Sequence, residues 1–158
     1  MKKISFIFCA LFFLVSCNEN RIYNEHQDVT GSLTWLKDEK HVFKVNITDI
    51  SVPYNIIVAV RHHSKASMNA IKITLTTTTP DKKQESKPYT IPLLDPQTGL
   101  PLGAAAGDIS DKETIVKSNH KFETVGEYTF LIEPQDKTKD IGGIMEVGLV
   151  VDKIVPAE

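Results

Sequence analysis

The sequence predicts an all-β fold, an antiparallel β-sandwich of immunoglobulin-like or jelly-roll-like type with about eight strands. Two observations carry this prediction. Apolar and polar residues alternate with a period of two over much of the chain, which is typical of strands that bury one face. No stretch of about ten residues shows the spacing of apolar side chains that an amphipathic helix requires.

The strands are assigned in chain order from this alternation and from the turn residues between the alternating segments. The segment 54–63 is apolar on both faces, which predicts a central strand. Pro88 and Pro92 lack the N–H group that an inner strand donates, so the segment around them is expected at a sheet edge. Strands are expected at 20–29, 32–37, 41–48, 54–63, 70–79, 87–94, 126–133 and 144–155.

Two further segments have distinct signatures. Residues 94–111 carry turn residues and small residues instead of alternation, which predicts a long ordered loop with a short helix or strand near 111–117. The step Gly126-Glu127-Tyr128 resembles the corner of immunoglobulin-like sandwiches, in which a tyrosine hydroxyl binds back to the chain.

The N-terminal residues have the layout of an export signal. Lys2 and Lys3 precede an apolar run at 4–15, which is shorter than the ~20 residues that a membrane-spanning helix needs. The run ends in Leu14-Val15-Ser16-Cys17, which resembles a bacterial lipobox. We therefore expect lipid attachment at Cys17, because two or more acyl chains hold a protein stably on a membrane. A plain secretory signal, with Cys17 incidental, is the alternative.

The predicted organisation has three parts: a signal peptide at 1–16, a lipid tether at 17–21 and a single β-sandwich domain at 22–158. Removal of the signal leaves 142 residues, which is enough for one hydrophobic core. Without Lys2 and Lys3, 16 basic residues stand against 20 acidic ones, a net charge of −4, and no basic stripe indicates nucleic-acid binding. Cys9 leaves with the signal, so the domain has no thiol for catalysis or a disulfide.

No residue pattern indicates an enzyme, a metal site or a cofactor. His62 and His63 are adjacent on a predicted strand and point to opposite faces, so we expect one buried and one exposed. Asp95, Asp108 and Asp111 could supply calcium ligands, but turn and capping roles explain them more simply. The nucleophile elbow and the phosphate loop are absent from the sequence.

Several stretches together resemble GldH-type gliding-motility lipoproteins. After the lipobox these are, in order, YNIIVAVRHHS at 54–64, LLDPQTGLPLGAAAGDISD at 93–111, GEYTFLIE at 126–133 and IGGIMEVGLVVDK at 141–153. The resemblance implies a lipid-anchored, non-enzymatic component of the gliding machinery that works beside the type IX secretion apparatus. It implies no catalytic residues. Two segments, 65–68 and 100–102, lack the aromatic residues that such proteins tend to have there.

We expect the outer membrane as the location, because Asn18 is not the aspartate that marks inner-membrane retention in enteric bacteria. The leaflet stays open. We expect protein partners, and we single out Arg61, His62, Asp95 and Asp108 as the partner-binding residues, since function often lies on loops held by a rigid scaffold.

Two alternative functions stay open. A glycan-binding lipoprotein of a nutrient-uptake system would present Trp35, Tyr54 and Tyr89 as an exposed platform for sugar rings. An envelope enzyme or metal-dependent hydrolase would bring histidines or carboxylates together in one pocket.

Overall fold

The computed structural model describes residues 20–66 and 68–155. The predicted signal peptide and Cys17 lie outside these residues. Among them no helix is long and apolar enough to cross a membrane. The strands are β1 (Arg21–Asp28), β2 (Thr34–Trp35), β3 (His41–Ile47), β4 (Tyr54–His63), β5 (Ala70–Thr78), β6 (Gln84–Pro92), β7 (Ala104–Ala106), β8 (Ile109–His120), β9 (Gly126–Pro134), β10 (Ile141–Gly142) and β11 (Ile144–Lys153).

The strands form two main sheets that pack face to face. One sheet has the order β1-β11-β4-β8-β7 and the other has the order β3-β9-β5-β6, while β10 and β2 form a small third sheet. The strand pairs are antiparallel. Eight of the described strands have seven residues or more. The prediction of an all-β sandwich is confirmed.

The core lies between the inner faces of the two sheets, and the period-two alternation places its side chains there. The inner rows of β3, β4, β5, β9 and β11 are buried, and they comprise Phe43, Val45, Ile47, Ile56, Val58, Val60, Ile71, Ile73, Leu75, Tyr128, Phe130, Ile132, Val147, Leu149 and Val151. Burying such apolar area is the main favourable term in folding.

Two strand positions agree with the sequence prediction. β4 lies between β11 and β8, as its two apolar faces predict. β6, with Pro88 and Pro92, is the edge strand of the four-stranded sheet, where missing N–H groups leave no partner unsatisfied. β1 begins at Arg21, one residue before the expected start of the domain.

The prediction of a loop through 94–111 is wrong for its second half. Residues 104–106 form β7, and the expected short element near 111–117 is part of β8, a strand of twelve residues. Gly107 has φ +63° in the two-residue turn Gly107-Asp108 between them, which is the conformation of a type II′ hairpin turn. The alternation in β8 is weak because only Ser110 is fully buried, while the other eleven residues are half-buried or exposed.

The predicted tyrosine corner is present. The Tyr128 hydroxyl donates a hydrogen bond to the backbone carbonyl of Thr124 at 2.9 Å. The Tyr128 ring is buried against Phe122, with ring centroids 4.6 Å apart. The hydrogen bond therefore ties the turn before β9 to the core.

Replacing Tyr128 by Phe should lower the free energy of unfolding by about 1 kcal/mol, because it removes this hydrogen bond and keeps the ring. Tyr89→Phe is the matched control: the Tyr89 hydroxyl makes no hydrogen bond within the described part of the chain. The free energy of unfolding of this control variant should change by no more than about 0.5 kcal/mol. Urea denaturation measures both, and equal stabilities of the two variants would contradict the corner's role.

The described chain enters the sandwich at one of its two ends. Asn20 lies at one end, which we call the proximal end, beside Lys153 and the β3–β4 loop. The opposite end, which we call the distal end, carries the β7–β8 turn and the loop at 94–103. β4 spans the distance with ten residues, or ~33 Å at ~3.3 Å per residue.

Candidate partner-binding surface

Arg61 lies on the outer face of the five-stranded sheet, the face turned away from the four-stranded sheet. Its Nε donates to Oδ1 of Asp111 at 2.7 Å and its Nη2 donates to Oδ2 at 3.1 Å. Its Nη1 donates to Oε1 of Glu146 on the opposite side. Register explains the arrangement, because Arg61 on β4 pairs with Asp111 on β8 and with Glu146 on β11.

Arg21 forms a second clamp of the same kind. Its Nη1 and Nη2 donate to the Glu113 carboxylate at 2.9 and 3.0 Å, and its Nε donates to Oδ1 of Asp152 at 3.0 Å. Glu113 is on β8 and Arg21 is on β1, so this side chain bridges the two strands between them. Each arginine thus joins strands of the sheet through two carboxylates.

An apolar floor lies between the two arginines. Ile57, Ala59 and Val150 on the outer sides of β4 and β11 are buried, although no second sheet covers that face. The His26 ring lies over Gly148, where an added Cβ would approach its Nδ1 to 2.7 Å. A residue without a side chain is therefore required at position 148. The side chains of Arg21, Arg61 and His26 lie across this apolar surface and hold the outer face in one arrangement.

The ion pairs change the titration of the groups involved. Hydrogen bonding to Asp111, with a smaller effect of Glu146, raises the pKa of the Arg61 guanidinium, and desolvation only partly opposes this. The same hydrogen bond lowers the pKa of Asp111 below its usual value. Hydrogen bonds to Glu113 and then to Asp152 raise the pKa of Arg21. Both arginines stay charged and bound to their carboxylates.

The other predicted partner residues have different surroundings. His62 is fully buried, with its Nδ1 3.1 Å from the carbonyl oxygen of His63, so it cannot contact a partner as we expected. His63 is half-buried. Asp95 is half-buried and its Oδ1 accepts hydrogen bonds from the backbone N–H groups of Gln97 and Thr98, which lowers its pKa. This is the turn role that the sequence suggested.

Asp108 lies at the tip of the β7–β8 hairpin at the distal end. Its backbone carbonyl accepts a hydrogen bond from the N–H of Ser64 at 2.8 Å, which fixes the turn against the end of β4. The residue is exposed. Arg61 and Asp108 are thus near one another along the β4–β8 pair, while Asp95 lies in the separate 94–103 loop.

The aromatic platform that a glycan-binding protein would need is absent from the described residues. Trp35 and Tyr54 are fully buried, and Tyr89 is half-buried on the edge strand β6. Trp35 packs against His41 with ring centroids 5.5 Å apart. Trp35 and Tyr54 were candidates for sugar stacking. They are core residues instead, because large aromatic rings are buried more often than they are exposed.

An open pocket with a cavity volume of about 340 Å³ was not predicted from the sequence. It lies between the β5–β6 hairpin and the end of β8, so its walls are far apart in the chain. Lys117 Nζ donates to Oε2 of Glu85 at 2.8 Å, which with Lys87 brings the pKa of Glu85 to about 2. Burial lowers the pKa of His120 on the same wall. The Lys117–Glu85 pair joins β8 of the five-stranded sheet to β6 of the four-stranded sheet.

No group of three or more His, Cys, Asp or Glu side chains that could hold a metal ion occurs within residues 20–66 and 68–155. Two of the three aspartates that could have bound calcium are engaged elsewhere, Asp95 in its turn and Asp111 with Arg61.

The family model described as GldH lipoprotein matches residues 21–151, which spans β1 to within β11. The chain belongs to the GldH lipoprotein family. Among its relatives, the gliding motility lipoprotein GldH homolog of Christiangramia forsetii is 26% identical over 148 residues, covering 93% of this chain and 88% of the relative.

A second GldH relative supports the same assignment. The gliding motility lipoprotein GldH of Flavobacterium johnsoniae is 22% identical over 160 residues, covering 97% of this chain and 98% of the relative. The resemblance that the sequence motifs suggested is therefore confirmed. GldH membership indicates a lipid-anchored protein of the cell envelope, and the family names suggest a protein without catalysis.

Replacing Arg61 by Ala should raise the pKa of Asp111, because the variant loses the hydrogen bonds and the positive charge that lower it. The free energy of unfolding should fall by about 1 kcal/mol or less, since the pair is partly exposed. Carbon-detected NMR titration measures the pKa. Asp95 is the internal control, because backbone N–H groups set its pKa. An unchanged pKa of Asp111 in the variant would contradict the ion pair between Arg61 and Asp111.

Proposed function

We propose that the protein is acylated at Cys17 after removal of residues 1–16 and works as a non-enzymatic component of the gliding machinery. In this proposal it resides at the outer membrane, is associated with type IX secretion and acts by binding another envelope protein. The observation that carries the proposal is the GldH family match over residues 21–151. Both relatives are named as gliding motility lipoproteins, which supports it.

The outer face of the five-stranded sheet supports binding as the mode of action. Its two arginines are held by carboxylates on neighbouring strands, so the polar groups are already oriented before any partner arrives. A partner that meets a preorganised surface loses less conformational freedom on binding. Arg61 and Asp111 are both partly exposed, so this ion pair suits a partner that presents polar and charged groups of both signs.

The distal end supports the choice of Asp108 and Arg61 over the other predicted residues. Asp108 is exposed at the hairpin tip, and no ion pair to its carboxylate occurs in the described part of the chain. With the tether at the proximal end, this turn lies about 33 Å further from the lipid, the length of β4. It can therefore reach a partner beyond the headgroups.

Replacing Cys17 by Ala should remove the acylated mass from the mature chain and shift the protein from the membrane to the soluble fraction. The physical reason is that acyl chains are the membrane-binding element of the proposal. Mass spectrometry of the N-terminal peptide and fractionation of cells measure the two effects. Retention of the variant in the outer membrane would contradict an anchor at Cys17.

Replacing Asp108 by Lys should weaken colony spreading in a strain that carries only this variant, because it reverses the charge at the hairpin tip. The matched control is Asp38→Lys, the same substitution at an exposed position between β2 and β3 whose carboxylate forms no ion pair within the described residues. Both variants should reach the wild-type level in the membrane. Normal spreading with Asp108→Lys, or equal losses in both variants, would exclude the hairpin tip as the partner contact.

A further inference from the structure

The chain enters the domain at a connected corner of the proximal end. The N–H of Lys153 donates to the carbonyl of Asn20 at 2.7 Å, and the N–H of Ile154 donates to the carbonyl of Pro53 at 2.8 Å. The Lys153 ammonium donates to Oδ2 of Asp49 at 3.2 Å. The entry point, the end of β11 and the loop after β3 are therefore held together.

Three exposed apolar side chains lie around this corner. Ile50 is 42% exposed, Val125 is 56% exposed and Val155 is 54% exposed. Ile50 follows β3 and Val155 follows β11, while Val125 precedes β9, whose Gly126 pairs with Ile47 at the end of β3. β11 is the sheet neighbour of β1, and β3 contacts β1 from the other sheet. All three thus adjoin the strands nearest to β1.

The tether length brings this corner to the lipid. Residues 18 and 19 separate Asn20 from the proposed acylation site at Cys17. An extended chain covers at most ~3.6 Å per residue step, so three steps place Cys17 within about 11 Å of Asn20. One headgroup layer is about 5–8 Å thick. Exposed leucines also occur at the distal end, Leu100 among them. Exposure alone therefore does not distinguish which apolar surface faces the lipid. The short tether does, because it keeps the proximal end close to the lipid.

Lysines beside the corner match the charge of lipid phosphates. Lys82, at the tip of the β5–β6 hairpin, and Lys121, directly after β8, form no ion pair with a carboxylate within residues 20–66 and 68–155. The neighbouring Lys83 is bound to Asp81 at 2.8 Å. Lysines close to a membrane are attracted to anionic lipid headgroups.

We propose that Ile50, Val125 and Val155 form a membrane-contact surface that enters the headgroup layer of the leaflet holding Cys17. Lys82 and Lys121 face the lipid phosphates at its border. The inference rests on the proposed acylation of Cys17. It gives the domain one orientation, in which the proximal corner lies on lipid and the distal end is directed away from the bilayer.

The chain is well suited to a test with single cysteines. Cys9 leaves with the signal and acylation occupies the thiol of Cys17, so the mature protein has no other thiol. Nitroxide labels are attached to Ile50→Cys, Val125→Cys and Val155→Cys, each in its own variant. The control is Leu100→Cys, at an apolar position that is 64% exposed at the distal end. Far-UV circular dichroism verifies that each labelled variant is folded.

The acylated variants are inserted into vesicles of phosphatidylethanolamine and phosphatidylglycerol. Electron paramagnetic resonance then measures collisions of each label with oxygen, which concentrates in lipid, and with a nickel chelate, which stays in water. The reference for each label is the same variant produced without residues 1–17, which has no acyl chain and no other thiol and is free in solution. We expect labels at 50, 125 and 155 to gain oxygen collisions and to lose nickel collisions several-fold, and the label at 100 to change little.

The outcomes separate this inference from the anchor. Equal behaviour of all four labels, in protein whose acylation is verified by mass spectrometry, overturns the membrane contact and leaves the lipid anchor intact. An unmodified Cys17 in protein isolated from the native membrane overturns the anchor and the membrane contact together.

Discussion

The structure depends on burying the β4–β11 strand pair on both faces. Its inner face packs against the four-stranded sheet, as the large apolar rows of both sheets require. Its outer face has no second sheet, yet Ile57, Ala59 and Val150 are buried there. The side chains of Arg21 and Arg61, held by carboxylates of the flanking strands, cover that face. A single constraint, the double burial of two strands, thus explains both the core and the polar outer surface.

The same arrangement separates the molecule into regions of different physical character. The clamps make one sheet face rigid and charged, and the strands that they join set the distance between the two ends. The chain enters at the proximal end beside exposed aliphatic side chains, and the β7–β8 turn lies at the other end. For a protein of the GldH family, this geometry fits an anchor at one end and a partner at the other.

Sequence patterns predicted the features that depend on local periodicity. β4 was predicted from its two apolar faces, β6 from its prolines and the Tyr128 corner from one tyrosine after a glycine. The strand β8 was predicted only in part, as a short helix or strand near 111–117, because few of its residues are apolar and only one is fully buried.

The pairing of the site residues could not be predicted from local sequence, because Arg61 meets Asp111 and Glu146 only through strand register. Alternation also could not tell that His62, Trp35 and Tyr54 lie on the buried side.

The most direct test of the account is the spreading of colonies and the secreted proteome after deletion of the gene. The account predicts loss of spreading that the wild-type gene restores. Normal spreading and normal secretion in the deletion strain would contradict it.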